Sequence, residues 1–261
     1  MKLLVKLGGT LLDADAPRES LAAQIAAAAR TARMAVVHGG GKQMTRFLAE
    51  RGVESQFVGG LRVTTPAVLD AVIKVVAGSV NRQLVAALHR AGARAVGISG
   101  IDGCLAEAEP MNPALGSVGR VTRVDPALLD ALLDGGFLPV VACVAGDRAG
   151  RLYNVNADQM AAACAAAFGA DQLVFLTDVD GVLDADRRIL THLTAADCAA
   201  LMARGIATGG MQAKLNAARH ALQSGVPQVR IAAGAADRVL ARILAGEEVG
   251  TRLAGEEVAA R

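Results

Sequence analysis

The chain has 261 residues, 53% of them hydrophobic, with seven prolines and a net charge of +2. That length suits one large α/β domain or two intimate lobes, and that composition excludes a disordered chain. Aromatics make up 2%, there is no Trp, and Lys and Arg are scattered, so neither base-stacking platforms nor a polyanion-binding surface is expected, and no nucleic-acid partner.

Cys104, Cys143, Cys164 and Cys198 stand apart, with no CxxC pair. They read as small apolar fillers kept reduced, and no metal site follows from them. "MKLLVKLGG" lacks the ~7–15 apolar residues of a signal peptide, and charge interrupts each apolar run before the ~18 residues of a membrane span. An intracellular, cytoplasmic protein with no membrane partner is expected.

Strands are predicted at 2–7, 34–38, 94–99, 137–142, 172–177 and 227–232. Several are hydrophobic almost throughout, as strands covered on both faces should be. Helices are predicted between them at 43–51, 68–92, 157–168 and 213–224, from three- and four-residue apolar spacing and from closing glycines such as Gly92, Gly169 and Gly225. The turn-rich stretch 104–125 breaks the alternation and is predicted to form a β-hairpin. The pattern implies an α/β fold: a three-layer αβα sandwich around a central, mainly parallel sheet. A soft boundary near Gly169-Ala170-Asp171 divides it into an N-terminal lobe, 1–170, and a C-terminal lobe, 171–261.

Several glycine-bearing loops follow these strands. "VKLGGTLL" delivers Lys6 and then turns on Gly8 and Gly9, at the carboxyl end of a strand where ligands of open α/β sheets bind. "HGGGK" (38–42) fails the Walker A pattern, which needs Gly at Val36 and Ser or Thr at Gln43. It fails the dinucleotide fingerprint too, because position 44 is Met. Its three glycines still offer unpaired N–H groups to an anion, whereas Lys42 reads as a solvated bystander and His38 as structural.

"GGLRVT" holds Arg62, whose planar fork suits a carboxylate. In "YNVNADQMA", Asn154 and Asn156 precede Asp158 at a helix start, either as a cap or as groups that orient cations. "LTDVDGVLDAD" lacks EF-hand spacing and reads as an adenosine-binding loop or a plain turn. "GIATGGMQAK" places Lys214 in the first turn of a helix, opposed by the helix dipole and so suited to meeting an anion.

In their order and spacing these segments resemble the amino acid kinase family and, within it, the acetylglutamate kinases, over essentially the whole chain. "KLGGTLL", "VVHGGGKQ", "GLRVT", "YNVNADQ", "LTDVDGVL" and "TGGMQAK" carry the resemblance. It implies the amino acid kinase fold and ATP-dependent phosphorylation of the side-chain carboxylate of N-acetyl-L-glutamate, a step of arginine biosynthesis. It also implies site roles. Lys6 and Lys214 would stabilise the transferring phosphoryl group, and Asp158 would hold both ammonium groups. Gly8, Gly9 and Gly39 would cradle phosphoryl oxygens. Gly40, Gly41, Arg62, Asn154 and Asn156 would bind the acceptor, with Arg62 on its α-carboxylate. Thr177, Asp178, Val179, Asp180, Gly181, Val182 and Leu183, with Ile206, Ala207 and Thr208, would hold ATP. Mg²⁺ would ride on the ATP phosphates, with no protein metal site.

Members inhibited by arginine carry an extra N-terminal helix, whereas this chain starts on its first strand, so an arginine-insensitive homodimer is expected. Cys143 and Gln212-Ala213 depart from the family's usual residues, and neither is expected to touch the proposed roles. The nearest alternative is a kinase of the same fold that phosphorylates a carrier-protein-bound aminoadipate or glutamate, whose NTxGD-like segment differs from "NVNAD" here. A dinucleotide-dependent oxidoreductase would need a complete glycine fingerprint, which no strand-turn-helix supplies. A silent binding module is disfavoured because every proposed position carries its expected residue type.

Overall fold

The structure is a computed structural model and describes residues 1–254; the last residues of the expected C-terminal lobe, 255–261, lie outside the described residues. The chain opens on β1 (Lys2–Leu7), turns into α1 (Asp15–Ala28) and returns as β2 (Arg33–His38). Next come α2 (Gly41–Ala49), the hairpin β3 (Phe57–Val58) and β4 (Leu61–Arg62), and a continuous helix over Pro66–Arg90. That helix is α3 (Pro66–Val72), a π-helical stretch over Ile73–Val80, and α4 (Asn81–Arg90). There follow β5 (Ala95–Ser99), β6 (Ala106–Pro110), β7 (Val118–Val124), α5 (Ala127–Asp134), β8 (Leu138–Ala142), β9 (Val144–Gly146), β10 (Leu152–Val155) and α6 (Ala157–Phe168). The remainder runs β11 (Gln172–Thr177), β12 (Val182–Leu183), β13 (Ile189–Leu190), β14 (His192–Leu193), α7 (Ala195–Ala203), α8 (Gly209–Gln223), β15 (Gln228–Ala233), α9 (Val239–Leu244) and β16 (Thr251–Ala254).

Eight strands form the central sheet in the order β14-β16-β15-β11-β1-β2-β8-β5. All pairings are parallel except β15 with β16. Leu3, Leu4, Val5 and Leu7 of β1 are 0% exposed, because helices cover both faces of the sheet and leave no polar side for the strand to alternate with. Around the sheet, α1 packs on α4 and α9, and α6 packs on α8 and β1. The chain leaves β1 for β2 on one side and later returns through β11 on the other. That reversal of strand order opens a crevice at the carboxyl ends of β1, β2 and β11, the place where such sheets bind ligands.

All six predicted strands are present to within one residue at each end. The predicted hairpin is β6 and β7, which closes with β9 and β10 into a small four-stranded ring. Three helices begin earlier than their apolar spacing suggests. Thr65 caps α3 by accepting from Val68 N (3.4 Å), with Pro66 in the first turn where its missing N–H costs nothing. Gly41 and Gly209 open α2 and α8. Lys214 therefore lies in the second turn of α8, beyond the strongest part of the helix dipole, so the dipole argument for it loses force. By length and composition the helix over Pro66–Arg90 could cross a membrane, yet 56% of its most apolar stretch is buried within the fold.

Candidate active site

Three buried charges meet at this crevice. Lys6 comes from β1, Asp158 from the first turn of α6 and Lys214 from α8, and they are 7%, 6% and 9% exposed. Lys6 Nζ lies 2.7 Å from Asp158 Oδ1, an ion contact off the hydrogen-bond direction. Lys214 Nζ donates to Asp158 Oδ2 at 3.2 Å. One carboxylate thus holds two ammonium groups, one on each oxygen. Burial by itself raises the Asp158 pKa, but the two lysines outweigh it and hold the carboxyl below its usual range. For Lys214, burial and the neighbouring Lys6 charge push its pKa down, and Asp158 restores only part of this. The cluster carries a surplus positive charge, which an anion would neutralise.

The glycine loops border this cluster. A Cβ on Gly9 would stand 3.1 Å from Gly41 N, so the loop after β1 and the loop after β2 touch backbone to backbone. A Cβ on Gly8 would approach Leu176 O at 3.3 Å, and one on Gly39 would meet Ala157 Cβ at 3.2 Å. Gly8 N itself donates to Leu176 O, so its amide is spent within the sheet. Gly40 precedes α2, which has no side-chain cap and no acidic residue in its first turn. Its leading N–H groups are left for a ligand.

A cavity of about 220 Å³ opens from Lys6 and unites Gly9, Gly39, Gly40, Gly41, Arg62, Asn154 and Asn156. Arg62 of β4 stacks over the Phe57 ring (4.6 Å to the centroid) and donates to Ser55 Oγ, to Gly41 O (3.2 Å) and to Thr45 Oγ1 (2.8 Å). Asn154 Nδ2 donates to Thr64 Oγ1 at 3.0 Å. Asn156 caps α6, accepting from Asp158 N (2.9 Å) and Gln159 N (3.1 Å). Its oxygen serves the fold, and its amide NH₂ remains for the cavity. Cys143 also lines this cavity. Burial pushes its thiol up to about 11, so it is an uncharged wall and no thiolate. Val72 and Val76 line the cavity as well; nothing in their apolar spacing separated them from ordinary core.

The segment after β11 is less uniform than its sequence suggests. Gly181 and Val182 are buried, with Val182 N donating to Thr251 Oγ1 at 2.8 Å, whereas Asp178, Val179, Asp180 and Leu183 are exposed. Thr177 is buried and donates to Asp178 Oδ1 at 3.1 Å. Burial works to raise the Asp178 pKa; backbone, Thr177 and Thr10 donors and the Lys42 charge together bring it below its ordinary value. Ile206 and Ala207 fold back by their amides onto Leu201 O, and Thr208 precedes α8. Among the described residues no hydrogen bond joins 177–183 to 206–208. Lys42 is exposed.

Buried lysines around one carboxylate, beside glycine loops at a sheet's switch point, are an arrangement suited to an anion such as a phosphoryl group. Residues 1–233 match the amino acid kinase family, and the chain belongs to it. It is 67% identical over 254 residues to an acetylglutamate kinase of Solibacter usitatus, covering 97% of this chain and 99% of that one. It is 47% identical to an acetylglutamate kinase of Rubrobacter xylanophilus, covering 95% of each. Among solved structures, the N-acetylglutamate synthase from Neisseria gonorrhoeae in complex with coenzyme A and N-acetyl-glutamate superposes with a TM-score of 0.87 at 28% identity. That match covers 98% of this chain, which spans 59% of the synthase.

Proposed function

We propose that the chain transfers the γ-phosphoryl group of ATP to the side-chain carboxylate of N-acetyl-L-glutamate, giving N-acetyl-L-glutamyl 5-phosphate and ADP in arginine biosynthesis. The observation that carries this reading is the Lys6–Asp158–Lys214 cluster at the mouth of a cavity holding Arg62. A carboxylate oxygen attacks the γ-phosphorus, its bond forms as the bond to the β-phosphate oxygen breaks, and ADP leaves. The nucleophile is already ionised near pH 7, so no general base is required.

Charge gathers on the transferring oxygens, where Lys6 and Lys214 supply two ammonium groups from separate elements. Asp158 keeps both in place before the nucleotide arrives. The N–H groups of Gly9, Gly40 and Gly41 meet phosphoryl oxygens, with Gly8 and Gly39 providing the close backbone approach. Arg62 takes the acceptor's α-carboxylate, and Asn154 and Asn156 take its polar groups. ATP lies along Thr177–Leu183 and Ile206–Thr208. The 1–170 lobe carries the acceptor and the later lobe the nucleotide.

Mg²⁺ enters on the nucleotide phosphates and keeps most of its waters. Among the described residues no three His, Cys, Asp or Glu side chains cluster into a cage for it. The enzyme works in the cytoplasm as a homodimer; β5 is an open sheet edge with Val96, Gly97 and Ile98 half-exposed, the kind of edge that a second copy covers. An ATP-dependent hydroxamate assay with acetylglutamate, glutamate and aminoadipate tests the reading. Product from acetylglutamate alone supports it. No product from free acetylglutamate, with turnover on a carrier-bound acceptor, overturns it.

A further inference from the structure

Beneath the glycine loop lies a polar pair that this chemistry does not use. His38 ends β2 and Asn81 begins α4, and both are fully buried. His38 Nδ1 lies 2.9 Å from Gly39 O, and His38 Nε2 lies 2.9 Å from Asn81 Nδ2. Asn81 Nδ2 also lies 3.0 Å from Val140 O in β8. Only one arrangement of protons satisfies these contacts. A carbonyl oxygen can only accept, so Nδ1 carries the hydrogen and donates to Gly39 O. Asn81 must present its NH₂ to Val140 O for the same reason, and its second hydrogen goes to Nε2. His38 is therefore neutral and fixed in one tautomer.

This has a directional consequence for the loop. In a trans peptide the C=O and the following N–H point in opposite directions. Holding Gly39 O down onto His38 turns the Gly40 N–H away from it, and Gly40 lines the cavity. That N–H makes no hydrogen bond among the described residues. The same long helix supports the next atom: a Cβ on Gly40 would stand 3.3 Å from Val76 Cγ2 and 3.4 Å from Val80 Cγ2. Both valines belong to the π-helical stretch that ends just before Asn81, a local change of helical register of the kind often found at functional sites. Asn81 in turn has room because Gly97 faces its Oδ1, where a Cβ would stand 1.9 Å away.

We propose that His38 and Asn81 are positioning residues that aim the Gly40 N–H at the phosphoryl group in flight; this rests on the phosphotransfer reading above. His38→Asn keeps a donor near the place of Nδ1, whereas His38→Gln reaches the place of Nε2 and leaves Gly39 O unpaired. His38→Gln is expected to lower kcat about 100-fold, the cost of a misplaced group of about 1 Å. KM for ATP stays unchanged, and His38→Asn retains kcat near wild type. Should His38→Gln fail to fold, His38→Ala likewise leaves Gly39 O without its donor and carries the same expectation of lowered kcat at constant KM.

Equal kcat in the two His38 variants at equal melting temperature overturns the proposal. Amide hydrogen exchange at Gly40 separates this from failure of the phosphotransfer reading. If wild type makes no acyl phosphate, that reading falls. Exchange that changes in His38→Gln and not in His38→Asn still supports the brace, and unchanged exchange in both sinks it.

Discussion

Replacing Asp158 by Asn removes one charge at nearly constant shape, and the structure sets what that should cost. The ammonium groups at 2.7 and 3.2 Å each gain roughly 5–6 kcal/mol of gross attraction at an effective dielectric of ~20. Much of that offsets the desolvation of three buried charges, and removing one partner of a buried pair costs about 3–5 kcal/mol net. For a chain of this size that is a melting-point drop of roughly 6–20 °C. The pH dependence is a second handle. Burial and Lys6 already depress the Lys214 pKa, and Asp158 opposes them, so the Asn variant depresses it further. A lysine with a depressed folded pKa loses its proton in the native state first, so native stability relative to the unfolded chain rises with pH through that interval. The penalty of Asp158→Asn should therefore shrink between pH 7 and a second pH nearer the ordinary lysine value of 10.5. Denaturant melts of both proteins at the two pH values measure it. A penalty below about 1 kcal/mol, or one equal at both pH values, would refute a buried carboxylate bearing two ammonium groups.

Three further outcomes are expected. Arg62→Ala should raise KM for the acceptor about 10–100-fold, a loss of about 1.4–2.8 kcal/mol, with KM for ATP unchanged; a shift in the ATP value instead would misplace Arg62. His38 is held near pKa 4 by burial and, more weakly, by the Lys6 charge, against 6.5 unfolded. Below pH 6.5 the unfolded chain takes up a proton that the native one refuses, so about 3 kcal/mol should be lost as pH falls to 4. Comparing wild type with His38→Asn in urea melts across that window isolates the effect, and identical slopes would contradict it. Gly97→Ala drives a methyl into Asn81 Oδ1 at 1.9 Å and against Val85 Cγ2 at 3.0 Å. It should destabilise the fold by about 1–3 kcal/mol, read as a lowered denaturation midpoint at constant slope.

The six predicted strands of the central sheet were legible because several are nearly unbroken apolar runs, the mark of a strand buried on both faces. Strands β14 and β16, of two and four residues, carry no such mark and depend on pairing with β15 and with each other. Glycine spacing located both loops of the crevice, since a Cβ on Gly9 would crowd Gly41 N at 3.1 Å. It could not reveal that Gly8 spends its amide within the sheet. Asn81 was invisible for another reason: a single Asn in an apolar helix reads as a solvated residue until β2 and β8 are laid beside it. Cys143, between β8 and β9, entered the cavity by the same route, its carbonyl accepting from Val155 N of β10. Lys214 was singled out by a dipole argument that the true start of α8 weakens, and its partner Asp158 is the firmer reason to attend to it.

The most direct test is the turnover of Lys214→Ala with ATP and acetylglutamate, beside its melting temperature. If Lys6 and Lys214 together stabilise the transferring phosphoryl group, kcat falls by about 10²–10³-fold or more, as for loss of one donor to a developing oxyanion, while the protein stays folded. A folded Lys214→Ala with near-normal kcat would contradict the two-lysine site.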